Sequence, residues 1–242
     1  MSFVRTLVRP FLHLTGPMEP EFLVVGARKA GTTALFGMLA QHPDAAPPVI
    51  KELHFFNNDS NYAMGIDHYR CLFPPRTRWS GAEFTFEASA PYLNAPDAPA
   101  RIRQHLPKTR IAMVLRDPVD RAYSDWNMFH RFKDHPRYSH EYDPRTFEEA
   151  VTDELEGKPV RAGHDYLAQG HYATALRRWL GQYRAQDLQV YGFGTFSREP
   201  QRVVQAILGS IGRSAERIPA AAYGIRANVR PYDAPLPAEL RA

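Results

Sequence analysis

Short apolar runs of strand length alternate along the chain with stretches where apolar residues return every three or four positions. The strand-like runs are Phe22–Val25, Phe84–Phe86, Ile111–Leu115 and Leu188–Phe193. Helical periodicity marks Thr33–Gln41, Pro99–His105, Pro118–Phe132, Phe147–Glu154, Tyr172–Tyr183 and Gln201–Ile211. A near-continuous apolar run suits a strand covered on both faces, and intervening helices supply the crossovers that parallel pairing needs. The pattern predicts an α/β fold, a parallel sheet with helices on both faces. Ligands in such sheets bind beyond the carboxyl ends of the strands, where Gly26 and Arg116 both fall.

No repeat or linker interrupts the pattern, so residues 1–242 are expected to form a single domain. The polar segment Lys133–Arg145 reads as an excursion over the site, and Leu236–Ala242 begins a last helix. Near the amino terminus, within residues 1–18, Val4, Leu7, Val8, Phe11 and Leu12 fall at helical spacing with Arg5 and Arg9 between them. This amphipathic segment is too short and too charged to span a bilayer, and a helix packed on the domain or lying at a membrane surface is expected.

Composition narrows the classes. With 44% hydrophobic and 23% charged residues in 242, the chain has an ordinary globular make-up and enough length to bury one sizeable core. The net charge is only +4, most cations are arginine and no dense Lys/Arg run occurs, which argues for a small polyanion as ligand and against nucleic acid. Cys71 is the single cysteine, so no intrachain disulfide and no cysteine-rich metal site can form, in keeping with a cytoplasmic protein, with peripheral membrane contact through the amino-terminal segment.

The strongest chemical signal is Gly26–Thr33, GARKAGTT, directly after the first apolar run. A nucleoside-triphosphate loop of the form GxxxxGK[ST] places lysine after the second glycine. Here Gly26 and Gly31 keep that spacing, but Thr32 stands at the lysine position and Lys29 lies inside the turn. Leu35, Met38 and Leu39 then form a helical stripe, so backbone amides at the helix start, with the Thr32 and Thr33 hydroxyls, face an anion. Lys29 is placed to neutralise charge on a leaving phosphate, and its displaced position points to a donor other than ATP. A second basic position, Arg116, ends the run Ile111–Leu115; Asp117 and Pro118 read as N-cap and first helical residue, and Val119, Ala122, Tyr123 and Trp126 as the buried stripe that follows. Ser124 falls off that stripe, so Arg116 and Ser124 can share one phosphate, or can merely bridge Asp120 and face solvent.

Together, GARKAGTTAL (26–35), KELHFF (51–56), EASAPYL (87–93) and LRDPVDRAYSDW (115–126) resemble the sulfotransferases that use 3′-phosphoadenosine 5′-phosphosulfate (PAPS) and leave adenosine 3′,5′-bisphosphate (PAP). The likeness is to the heparan-sulfate N- and 3-O-sulfotransferase type and its bacterial relatives, and it runs from about Glu21 to Leu208. It implies a P-loop-like, three-layer α/β/α domain related to nucleoside-triphosphate hydrolases. It also implies that Arg28, Lys29, Ala30, Gly31, Thr32 and Thr33 hold the 5′-phosphosulfate, that Arg116 and Ser124 hold the 3′-phosphate, and that no metal is required. Glu52 matches the family's catalytic glutamate; His54, whose neutral imidazole accepts protons near neutral pH, is the rival base, and Lys51 is the structural partner that competes for Glu52.

Three departures bear on the acceptor and the nucleotide. Glu87, after the alternating Phe84 and Phe86, is expected near the cleft, and Ala88 follows it where glycan-modifying relatives usually carry lysine; the disulfide-closed loop near their carboxyl end cannot form here, and Arg226 and Arg230 align only loosely with a late basic contact. The resemblance therefore implies a small-molecule or glycan acceptor, with a carbohydrate or glycolipid hydroxyl favoured over a polyanionic chain. The alternative is a P-loop small-molecule kinase using ATP and magnesium, which requires lysine where Thr32 stands and leaves Arg116 and Ser124 without a role. A non-catalytic module for anionic glycans would instead show binding with a steep salt dependence and no turnover.

Overall fold

The computed structural model describes residues 16–75, 81–228, 231, 232, 235, 236 and 240. The helix expected over 1–18 therefore lies almost wholly outside the described residues, as does most of the segment beginning at Leu236. Four strands form the sheet: β1 (Pro20–Gly26), β2 (Thr85–Ala88), β3 (Arg110–Leu115) and β4 (Leu188–Gly192), in the order β2-β1-β3-β4. All three pairings are parallel, as the strand–helix alternation predicts.

Central position explains composition. β1 and β3 are flanked on both sides and nearly all their residues are buried, whereas the edge strand β4 has Gln189 and Val190 open to solvent to different degrees. Val24 of β1 stands opposite Ala88 of β2 and Ala112 of β3, so β1 and β3 run on past the end of β2. The β1–β2 connection moves to one side of β1 and the β2–β3 connection jumps to the other. That reversal opens a crevice beyond β1 and β3, the position where α/β sheets bind ligands.

Right-handed crossovers place the two directions of travel on opposite faces. On one face α1 (Thr32–Leu39) packs on the sheet, with the Phe36 ring 5.2 Å from Phe86, which stacks on Phe22 at 5.0 Å. The connections from β2 and β3 carry α4 (Ala98–His105), α5 (Pro118–His130), α6 (Phe147–Leu155) and α7 (Tyr172–Leu180). After β4, α8 (Phe193–Arg198) and α9 (Pro200–Gly209) return the chain to α1. The result is a three-layer α/β/α domain of the P-loop-like type.

The differences from expectation are local. Phe193 opens α8 instead of ending β4, because Gly192 closes the strand. Two short helices, α2 (Asp59–Tyr62) and α3 (Ile66–Arg70), arise from caps and turn residues without apolar periodicity; the Asn58 side chain accepts from the Asn61 amide at 3.0 Å. On α7, Ala175 and Trp179 carry the buried face and Leu180 is exposed.

A satellite apolar cluster joins α5, α6 and Tyr166 through Ala122, Tyr123, Phe129, Phe147 and Ala150. The 133–145 excursion is pinned to it: Trp126 Nε1 donates to the Arg145 carbonyl at 2.9 Å, and the Tyr166 hydroxyl donates to Asp143 at 2.8 Å. Burial alone would raise the Asp143 carboxyl, but hydrogen bonds from Arg145 and Tyr166 outweigh it and hold the group below its usual range.

Candidate active site

The glycine turn sits at the carboxyl end of β1 and is shaped by close approach. A Cβ on Gly26 would fall 2.5 Å from Leu93 Cβ, and one on Gly31 would fall 2.9 Å from the Phe196 ring, with Gly31 already at φ 80°. The Ala27 amide donates to the Val114 carbonyl at 2.7 Å, tying the turn to β3. Lys29, inside the turn, adopts φ 66°, a left-handed conformation that costs a non-glycine residue about 1–3 kcal/mol and is commonly held in place at ligand sites. The Leu35 amide closes the first turn of α1 on the Gly31 carbonyl at 3.0 Å. The preceding amides of Thr32, Thr33 and Ala34 therefore point off the helix start. No acidic residue occupies that first turn, so the positive end of the helix dipole is uncompensated by its own sequence.

Arg116 reaches this turn from β3. Its NH1 donates to the Lys29 carbonyl at 3.3 Å and its guanidinium lies 5.1 Å from the Phe193 ring centre. The two basic positions picked out from the sequence are thus adjacent in space. Ser124 is half-buried on α5, and the described contacts of Arg116 run to the glycine turn and α8 instead of to Ser124.

Arg28 is differently committed. Its Nε donates to Asp125 Oδ2 at 2.8 Å and its NH2 to the Gly163 carbonyl at 2.7 Å, with Phe129 beneath the guanidinium. Its side chain thus braces the turn against α5, leaving its backbone as the part that faces an anion. Asp125 also accepts from Arg121 at 2.9 Å, and both of these side chains are fully buried. The buried face of α5 therefore includes an ion pair where an apolar stripe with Val119 and Trp126 was expected; those two residues are only half-buried. Asp125→Ala would leave Arg121 buried without its counter-charge. We expect a loss of about 3–5 kcal/mol in a urea unfolding titration; a loss under about 1 kcal/mol would show the pair to be dispensable.

The KELHFF segment lies beside the end of β2. The Glu52 amide donates to the Ala88 carbonyl at 3.0 Å. Leu53, Phe55 and Phe56 are buried, whereas Glu52 and His54 face outward, with side chains one-third and about two-fifths exposed. Their backbones share the left-handed region, at φ 62° and 51°, and His54 Nε2 stands 3.6 Å from Glu52 Oε2. Lys51 donates to Glu52 Oε1, so the adjacent-residue pair expected from the sequence is present. Both candidate bases therefore occupy one small patch and are coupled to each other.

Glu87, expected near the cleft, is instead enclosed in β2 with no exposed surface. Tyr69 donates to its Oε2 at 2.6 Å, and Ser89 and Tyr92 donate to its Oε1 at 2.6 and 2.8 Å. Burial pushes the Glu87 carboxyl up, and the hydrogen bonds from Ser89, Tyr69 and Tyr92 pull it back towards the ionised form.

The carboxyl-terminal segment does return to the turn, through a residue the sequence did not single out. Asn228, at φ 56°, donates from Nδ2 to Thr33 Oγ1 at 3.2 Å. Arg226 is exposed and donates to the Tyr223 and Ile225 carbonyls, and Arg230 lies outside the described residues. A separate cavity of about 460 Å³, lined by Glu19, Glu21, Lys108 and Arg110, opens at the opposite, amino-terminal end of the strands and takes no part in this arrangement.

The comparisons with known proteins agree with this geometry. The family model described as a sulfotransferase domain matches residues 19–223. The human bifunctional heparan sulfate N-deacetylase/N-sulfotransferase 1 is 34% identical over 200 residues, covering 80% of this chain and 22% of that protein. Bovine N-deacetylase/N-sulfotransferase 2 is also 34% identical, over 78% of this chain and 22% of its own length. The chain thus spans about a fifth of the length of these curated relatives. A crystal structure of a sulfotransferase from Alicyclobacillus acidocaldarius superposes with a TM-score of 0.73 at 28% identity, covering 92% of this chain and 88% of that one. Mouse SULT7A1 in complex with PAP shares the fold, with a TM-score of 0.53 at 17% identity over 86% of this chain and 66% of its own. None of these matches supports the kinase alternative. A strand-end glycine turn with its lysine inside, a second arginine from the neighbouring strand, and a family match over most of the chain lead to one conclusion: this chain belongs to the sulfotransferase family.

Proposed function

We propose that the chain transfers the sulfuryl group of PAPS to an acceptor hydroxyl, on a neutral carbohydrate or glycolipid, by in-line displacement. The observation that carries the donor assignment is the juxtaposition of the Lys29 turn with Arg116 at the carboxyl ends of adjacent strands. This chemistry fits a nucleotide with anionic groups at two places on one ribose. The amides of Thr32 and Thr33, with the backbone of Arg28, Ala30 and Gly31, receive the 5′-phosphosulfate. Arg116 takes the 3′-phosphate, with Ser124 as its expected helper from α5.

In the step itself, the bond from sulfur to the bridging 5′-phosphate oxygen breaks as a bond from sulfur to the acceptor oxygen forms. Glu52 accepts the acceptor proton, and Lys29 neutralises charge growing on the departing phosphate. PAP and the sulfate ester are the products. His54 is within reach of Glu52 and orients it.

Two features favour a neutral acceptor. Val49 and Ile50, 68% and 58% exposed, immediately precede Lys51 and Glu52, and Ala88 is buried where relatives usually place a lysine. The exposed Val49 and Ile50 offer apolar surface beside the patch, which suits a neutral acceptor better than a polyanionic chain. The names of the heparan sulfate relatives make an amine acceptor the competing case.

The test is sulfate transfer from PAPS labelled with sulfur-35 to a panel of neutral glycans, glycolipids, N-desulfated heparan chains and small amines. Labelled sulfate ester formed on the neutral glycans or glycolipids is expected. Transfer confined to N-desulfated chains would overturn the acceptor assignment, and no transfer from PAPS to any acceptor class would overturn the donor assignment. For Arg116→Ala, titration calorimetry should show PAP binding weakened roughly ten- to a hundredfold, the worth of about 1.5–3 kcal/mol for hydrogen bonds to a charged group. Unchanged PAP affinity would remove Arg116 from the site.

A further inference from the structure

Glu87 presents a problem that the transfer reaction does not solve. A buried strand position needs only an apolar side chain, and burying a carboxylate there is costly unless hydrogen bonds offset it. The side chain is sealed from solvent, so it cannot touch an acceptor. One of its contacts nevertheless leads on to the backbone of the KELHFF segment.

The nearby Leu53 backbone favours the ionised form of Glu87. The Tyr92 hydroxyl donates to Glu87 at 2.8 Å and accepts from the Phe55 amide at 3.0 Å, with the Phe56 amide a further 3.4 Å contact. The carbonyl of the next residue, Ala88, accepts from the Glu52 amide at 3.0 Å. The amides of positions 52 and 55 are therefore both drawn towards β2. Alternation does the rest: with Leu53 and Phe55 held inward, Glu52 and His54 are turned outward side by side in left-handed conformations. Two such residues in a row of three persist only where the surroundings over-determine them.

We propose that Glu87 is a positioning residue, which sets the Glu52–His54 pair through the Tyr92 hydroxyl and takes no part in proton transfer. Its consequence for turnover rests on the assignment of Glu52 as base; its effect on the backbone of 51–56 does not. Tyr69, which holds the other Glu87 oxygen but no amide of this segment, provides the internal control.

The test combines hydrogen exchange with kinetics on Glu87→Gln, Tyr92→Phe and Tyr69→Phe. For the first two, exchange across 51–56 should accelerate at least about tenfold while 26–35 keeps its wild-type rate, the mark of a local opening. Their kcat should fall roughly ten- to a hundredfold, as expected when a catalytic group is displaced by about an ångström, with PAP affinity unchanged. Tyr69→Phe should do less on both counts. Wild-type exchange over 51–56 in Glu87→Gln and Tyr92→Phe, or acceleration spread evenly over the whole chain, would overturn the proposal. If Glu52→Gln itself keeps full turnover, the base assignment fails, and the exchange data still decide the role of Glu87.

Discussion

Lys29→Ala is expected to lower kcat by roughly a hundred- to a thousandfold, the usual effect of removing one preorganised donor from a developing oxyanion. The physical reason lies in where Lys29 stands. A lysine after the second glycine would approach the terminal phosphates of ATP, whereas here Thr32 fills that position and the lysine rides on a left-handed residue inside the turn. In the proposed transfer its ammonium would serve the bridging oxygen, on which charge accumulates only as the sulfur departs. An interaction that strengthens in the transition state changes kcat more than donor affinity. The variant should therefore keep PAPS binding within about a factor of ten while losing turnover, as read by single-turnover assays beside donor titration. Equal loss in both quantities would reduce Lys29 to a simple anchor.

Glu52→Gln is the second large effect. A positioned general base contributes roughly a hundred- to ten-thousandfold, and glutamine preserves the size and hydrogen-bonding reach of the side chain while removing its proton affinity. Turnover should fall by that order with PAP affinity and unfolding midpoint unchanged. Lys51 and His54 both contact Glu52, so the same patch holds the means to test the assignment further. His54→Ala should cost less, since it removes an orienting partner and leaves the carboxylate in place. The reverse ranking, with a near-normal Glu52→Gln and an inactive His54→Ala, would transfer the base role to the imidazole.

Strong periodicity made the fold legible. β1 and β3 are buried on both faces and had to be written as apolar runs, so their positions follow from Phe22–Val25 and Ile111–Leu115 within a residue or two. The edge strand β4 carries less burial, and its boundary with α8 was placed one residue late because Phe193 continues the apolar run into the helix. The glycine turn was legible for a different reason: backbone geometry demands glycine where Leu93 and Phe196 crowd the chain, and that demand is written at Gly26 and Gly31.

What stayed hidden depends on partners distant in sequence. Asp125 looked like one more polar position on a helix, and only the fold brings Arg28 to it from across the site. Asn228 reaches Thr33 from the far end of the chain with no motif to announce it. Glu87 read as a cleft residue because its strand ends at the cleft; the hydroxyls of Tyr69, Ser89 and Tyr92, contributed by three local elements, enclose it. Arginine and carboxylate positions are visible in a sequence, but which of them neutralise each other is not.

The central claim is that the glycine turn and Arg116 grip a nucleotide phosphorylated at both the 3′ and 5′ positions. Titration calorimetry of PAP against ATP with magnesium, on the wild type and on Arg116→Ala, tests it most directly. The account predicts that PAP binds the wild type more tightly than ATP by at least about tenfold, some 1.4 kcal/mol, and that this preference disappears in Arg116→Ala. Tighter binding of ATP with magnesium, or a PAP preference that survives loss of Arg116, would contradict it.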